Sequence, residues 1–138
     1  MIRIAGIWDY SWNFPAHEIS QWEVLVREFN AERLYMTPIT GIVNNVLDEK
    51  KSIQDVVNDC KGFTPVFVAE NGTNDLVSYE HPENALYIFG RTNYSPFNDM
   101  IDQGESIKVI TPTNQGLLLS PIIAGIILQD RYNKWLLQ

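Results

Sequence analysis

The stretch SIKVITPTNQGLLLSPIIAGIIL, residues 106–128, limits what this chain can become more than any other. It reads as a strand, a polar loop rich in Thr, Asn and Gly, and a helix whose first half, IIAGII, has no polar face. A helix that is apolar all round belongs in an interior. The pattern therefore predicts a helix from near Ser120 to about Leu137, enclosed at its start and partly wet at its end, where Asp130, Arg131, Asn133 and Lys134 fall. Ser120 is placed to cap it, and Pro121 suits a first turn that needs no amide donor. A chain of 138 residues has the length for such an interior; at that size roughly 68 to 70% of the unfolded surface is buried on folding. With no repeat, low-complexity stretch or composition break, residues 1–138 read as one domain.

The remaining elements alternate. IRIAGIW (2–8), RLYM (33–36), TPVFVAE (64–70), ALYIFG (85–90) and IKVIT (107–111) are short β-rich runs. Between the first two, Ile19, Trp22, Leu25, Val26 and Phe29 recur at helical spacing, with Pro15 near the start, which predicts an amphipathic helix over 16–29. The interval 39–61 also reads as helical, with Val43, Val46 and Leu47 in one part and Ile53, Val56, Val57 and Cys60 in the other. Ser52 with Asp55 resembles a capping box and Gly62 a stop, which makes 52–61 the firmer half. Strands alternating with helices predict an α/β fold: a mostly parallel sheet covered by helices on both faces, with ligands beyond the carboxyl ends of its strands.

Several functions are excluded at the start. DYSWNFP after the first strand has no glycine, so neither a dinucleotide fingerprint nor a phosphate-binding loop is present. No G-x-S-x-G elbow occurs. One cysteine, Cys60, and two histidines, His17 and His81, offer no metal-ligand spacing, and Cys60 reads as an ordinary buried thiol. The apolar runs are too short to span a bilayer and the start is unlike a signal peptide, so the chain is expected in the cytoplasm. A net charge of −7 argues against broad attraction to nucleic acid. A local basic patch stays open, with Arg27, Arg33, Lys50, Lys51, Arg91, Arg131 and Lys134 as members, as does plain solvated surface charge. Trp8, Tyr10, Trp12 and Phe14 offer rings on which a base can stack, or core and interface residues. His17 and Glu18 read as surface residues at a helix start.

Three loops follow apolar strands at one edge: AENGT, FGRTNYSPF and TPTNQGLLLS. Each supplies glycine for close backbone approach and small polar side chains, which suits a neutral or zwitterionic ligand held by main-chain groups.

The run ALYIFGRTNYSPF…IKVITPTNQGLLLSPIIAGIIL resembles the carboxyl-terminal half of the SPOUT methyltransferases. These are knotted RNA-modifying enzymes that use S-adenosylmethionine, and the likeness is nearest to the small tRNA ribose 2′-O-methyltransferases. The matching elements are Phe89 with Gly90, Ile110 to Pro112, and Ala124 to Ile126; EFNAERLYMTP agrees more loosely with the family's first helix end and second strand. The resemblance implies a deep carboxyl-terminal trefoil knot, a homodimer, an RNA substrate, and a cofactor held by Glu70, Ile88, Phe89, Gly90, Ile110, Thr111, Pro112, Thr113, Leu118, Leu119 and Ser120.

The departures fall on catalytic positions. The family's arginine maps to Val24, with Arg27 one helical turn later; its acid maps to Thr92, its asparagine to Leu119 and its serine to Pro121. Arg27, Thr92 and Asn93 are therefore the expected catalytic set, with Arg27 or Arg91 on a phosphate and Thr92 or Asn93 on the acceptor. Three readings stay open: a methyltransferase with altered catalytic residues, a silent knotted dimer that only binds, and an unknotted doubly wound domain for another ligand.

Overall fold

The structure is a computed structural model, and it describes residues 1–8, 15–90 and 97–138, with the side chains of Pro15 and Ala16 left aside. In chain order the elements are β1 (Ile2–Ile7), α1 (Pro15–Glu28), β2 (Arg33–Thr37), β3 (Leu47–Glu49), α2 (Ile53–Asp59), β4 (Thr64–Val68), β5 (Asn74–Asp75), β6 (Ala85–Phe89), β7 (Glu105–Lys108) and α3 (Ser120–Leu136). The strands form one sheet in the order β3-β2-β1-β6-β4-β7-β5, and each pairing is parallel.

The two-residue period of the strands sorts side chains into two layers. Ala85, Tyr87 and Phe89 of β6 join Ile4, Trp22, Leu25, Ala124, Ile127 and Leu128 beneath α1 and α3. Leu86 and Ile88 point the other way, toward Ala5, Tyr35, Phe67, Val56 and Cys60 beneath α2. Helices thus cover both faces, and the α1 face read from the sequence is the buried one, with Trp22 fully enclosed. Ser52 caps α2 by accepting a hydrogen bond from the Asp55 amide at 3.2 Å, and Gly62 follows at φ +90°. Trp8 is fully buried, as a core residue, and Cys60 is buried as a thiol.

Four expectations change. The interval 39–47 is not helical: Gly41 sits at φ +87°, and the Asn44 side chain accepts from the Val46 amide. The chain then pairs as β3, Leu34 opposite Leu47. The fifth predicted strand, 107–111, instead spans Glu105–Lys108, because its partners end there: Val68 lies opposite Ile107 and Asp75 opposite Lys108. Val109 and Ile110 are released into the following loop. Glu18 is no surface residue; its carboxylate is buried and accepts from the Trp22 indole N–H at 2.7 Å. The start of α3 is not enclosed within this chain: Ile122 is 50% exposed and Ile126 38% exposed. Its second half is partly wet, as expected, with Tyr132, Asn133, Trp135 and Leu136 exposed, although Arg131 is buried.

Candidate ligand site at the carboxyl edge

The ends of β4, β6 and β7 and the first turn of α3 surround a cavity of about 620 Å³. It lies where a parallel sheet covered on both faces places its ligands, outside the carboxyl ends of the strands. The inner wall is apolar, from Val68, Phe89 and Ile123, and the outer wall is the loop 109–118. That loop is built on a local turn: the Asn114 amide donates to the Thr111 carbonyl and hydroxyl at 3.1 Å each. Asn114 (φ 51°) and Gly116 (φ 67°) both take the left-handed conformation, the former with a residue type that tolerates it. Residues on both sides of this reversal, Thr111, Thr113, Asn114, Gln115 and Gly116, line the cavity.

The inner rim is tightly fixed. After β4 the Ala69 amide donates to the Ile107 carbonyl at 3.0 Å, and the Gly72 amide to the Ala69 carbonyl at 3.1 Å. A β-carbon on Gly72 would lie 2.4 Å from the Ile107 carbonyl carbon, so only glycine allows the turn to press against β7. At the helix start the Ser120 hydroxyl donates to the Gly90 carbonyl. Ser120 is therefore not the cap it resembles in sequence; Leu119 occupies that position without a side-chain cap bond, and the hydroxyl ties α3 to the end of β6.

Of the residues expected to hold a ligand, Glu70, Phe89, Gly90, Ile110, Thr111, Thr113, Leu118 and Ser120 line the cavity. Ile88 does not; its side chain is fully buried in the α2 layer. Pro112 and Leu119 also lie outside the lining. Lys108, Asn114, Gln115 and Gly116 line the cavity and were not singled out, although NQG is a turn signal that points to such a loop. Arg27 stands on α1 with 76% of its side chain exposed, 4.0 Å from Glu23, whose carboxylate accepts a hydrogen bond from Asn44. Thr92 and Asn93, with Arg91, Tyr10, Trp12 and Phe14, lie outside the described residues.

Of the described candidates for a basic patch, four are paired with acids or buried. Arg33 and Lys50 both pair with Asp48, Lys134 pairs with Asp130, and Arg131 is buried. Near the carboxyl end of β3, Glu49 accepts from Trp8 Nε1 (2.8 Å), the Thr40 amide and hydroxyl (3.0 and 2.6 Å) and the Gly41 amide (2.9 Å). Burial raises its pKa, but these four donors together hold the carboxyl below its usual range. Among the described residues no group of three His, Cys, Asp or Glu is arranged for a metal, and no helix is long and apolar enough to cross a membrane.

No family model and no curated protein matches the sequence. The fold, by contrast, has clear relatives among solved structures. A structure bearing on the 2-OH methylation of C/U34 on tRNA superposes with a TM-score of 0.78 at 10% identity, covering 98% of this chain and 91% of that one. The SpoU methyltransferase AviRb from Streptomyces viridochromogenes, solved in complex with AdoMet, gives 0.78 at 12% identity, covering 97% of this chain and 57% of that one. A TrmH/SpoU tRNA modifying enzyme from A. aeolicus gives 0.71 at 12% identity, covering 97% and 74%. The chain has the fold of the SpoU/TrmH RNA methyltransferases.

Proposed function

We propose that this chain is an S-adenosylmethionine-binding methyltransferase of the SPOUT type that acts on RNA, either tRNA or rRNA, with an altered acceptor site. The observation that carries the reading is the cavity at the carboxyl edge. It stands open, with Leu117 turned 69% to solvent rather than folded inward, and it combines an apolar wall with main-chain groups and a carboxylate, Glu70. That lining fits an adenosine joined to a zwitterion: the base against Phe89 and Ile123, and hydroxyl and amino groups on loop backbone and Glu70. When bound, the cofactor supplies an electrophilic methyl group. The chain's own task is then to hold the acceptor hydroxyl in line and to take or screen its proton. Arg27 is assigned the RNA phosphate, and Thr92 and Asn93 the acceptor.

The reading includes a deep knot and a homodimer over residues 1–138. Threading is supported by the Ser120 bond to Gly90, which places the start of the last helix against the end of β6. A partner is supported by Val24, Ile122, Ile126 and Leu136, which leave an apolar stripe exposed on α1 and α3.

Calorimetric titration with S-adenosylmethionine is expected to show micromolar binding and to raise the melting temperature by mass action. No heat and no shift at millimolar ligand would defeat the reading. A second reading, a silent dimer that binds without transferring methyl, is favoured by Val24 at the family's arginine position, 58% exposed and apolar. Incorporation of labelled methyl into an RNA pool separates the two.

A further inference from the structure

Resting on the cofactor reading above, we infer that Glu70 makes the cavity discriminate by charge, favouring a positively charged sulfonium donor over the neutral thioether left after transfer. S-adenosylmethionine and S-adenosylhomocysteine share the adenosine and the zwitterionic amino acid. They differ by one methyl group and one positive charge, so a pocket tells them apart either by shape around that methyl or by its own electrostatics.

The described lining contains one acid, Glu70, and one base, Lys108. The Lys108 ammonium lies 3.5 Å from the Asp75 carboxylate, a residue outside the lining, so its charge is largely offset. Glu70 forms no ion pair among the described residues. The net field of the described rim is therefore that of one carboxylate.

The backbone that carries Glu70 is also held in place. The turn carrying it is fixed to β7 by the Ala69 amide bond to Ile107, and by the Thr73 amide and Asn74 side-chain amide, both 2.9 Å from Ser106. Gly72 seats the turn where a β-carbon would collide with the Ile107 backbone. A carboxylate carried on such a turn, at the edge of a half-apolar cavity, attracts a cation that enters it. The consequence is that loss of the methyl group weakens binding and speeds product release.

The test is calorimetry on the intact protein with three ligands: S-adenosylmethionine, S-adenosylhomocysteine and sinefungin, whose ammonium replaces the sulfonium. The ratio of product to donor dissociation constants should fall about threefold to tenfold in Glu70→Gln, with sinefungin following the donor. In Lys108→Met, which leaves Asp75 unpaired near the rim, the ratio should rise. Both positions are exposed or half-exposed, and unchanged melting temperatures will show that the fold is intact. Equal weakening of all three ligands in Glu70→Gln overturns the inference, because Glu70 then touches a shared part such as the ribose; so does no change at all. If the wild-type protein binds none of the three at millimolar concentration, the cofactor reading itself fails and this inference with it.

Discussion

The two halves of α3 live in opposite environments. Its first turn borders an open cavity, with Ile122 and Ile126 half in solvent and the Ser120 hydroxyl as its tie to β6. Its second half is locked to the segment before β6 by buried polar groups. Arg131 donates to the carbonyls of Pro82 (2.6 Å) and Glu83 (2.8 Å) and to the Tyr87 hydroxyl (3.1 Å) while lying over the Trp135 ring. His81 bridges Tyr87 (2.6 Å) and Asp130 (2.8 Å), and Lys134 joins Asp130 at 2.9 Å. One helix thus borders the cavity at one end and is tied by buried polar groups at the other. Buried polar networks are costly unless fully satisfied, and this one is satisfied: the described residues contain no buried side-chain polar atom without a partner.

The sharpest way to break that contrast is to cut the lock. Arg131→Met removes the three hydrogen bonds of a buried guanidinium and its contact with the Trp135 ring, and should cost about 3 kcal/mol in urea unfolding. A loss below about 1 kcal/mol would mean that water reaches the network and the lock is not buried.

At the cavity rim, Gly72→Ala forces a β-carbon into the β7 backbone and should cost about 2 kcal/mol while weakening ligand binding. Full stability in that variant would show that the rim yields, contrary to its role in holding Glu70.

The lock should also be sensitive to acid. Burial lowers the His81 pKa, against the opposing pull of Asp130. The hydrogen-bond directions agree: the Tyr87 hydroxyl, its own pKa pushed up to about 12 chiefly by burial, accepts from Arg131 and so donates to His81 Nδ1. That leaves Nε2–H for Asp130, which is the neutral ring. With the folded pKa below the ordinary value of 6.5, the native state binds fewer protons than the unfolded chain. The associated stability is present above about pH 6.5 and falls as pH drops below it. Urea midpoints should decline between pH 7 and 5 in the wild type, and His81→Gln should flatten that decline; an equal slope in both would place the titration elsewhere.

The smallest effect belongs to the open end. Leu117→Ala should change stability by less than about 0.5 kcal/mol, as for an exposed loop residue, yet reduce cofactor affinity severalfold. A large loss of stability would show that Leu117 packs where the open cavity now stands.

Much of the fold was legible because it is written in local periodicity. The spacing of Ile19, Trp22, Leu25 and Val26 set the buried face of α1, Ser52 set the start of α2, and three glycine-bearing loops marked the carboxyl edge where the cavity lies. The errors came where a partner distant in sequence decided the outcome. Residues 47–49 are a strand because β2 has an open edge there, and three residues carry no period strong enough to declare it. Ser120 looked like a cap because capping is a local rule, but the Gly90 carbonyl, thirty residues away in the chain, takes its hydroxyl instead. Ile122 and Ile126 read as interior because they are apolar, although they remain 50% and 38% exposed.

The amino-acid order alone determined an alternating α/β chain, the inward face of each main element, and a cluster of glycine-bearing polar loops at one edge. Only the tertiary structure decided which strands became neighbours, that Glu18 and Arg131 would be buried, and that one end of α3 would be locked and the other left open. The physical reason is range. Side-chain period and capping act over about four residues, whereas the bonds from Arg131 to Pro82 and from His81 to Asp130 each close a loop of 49 residues, and such pairs exist only once the sheet has brought them together.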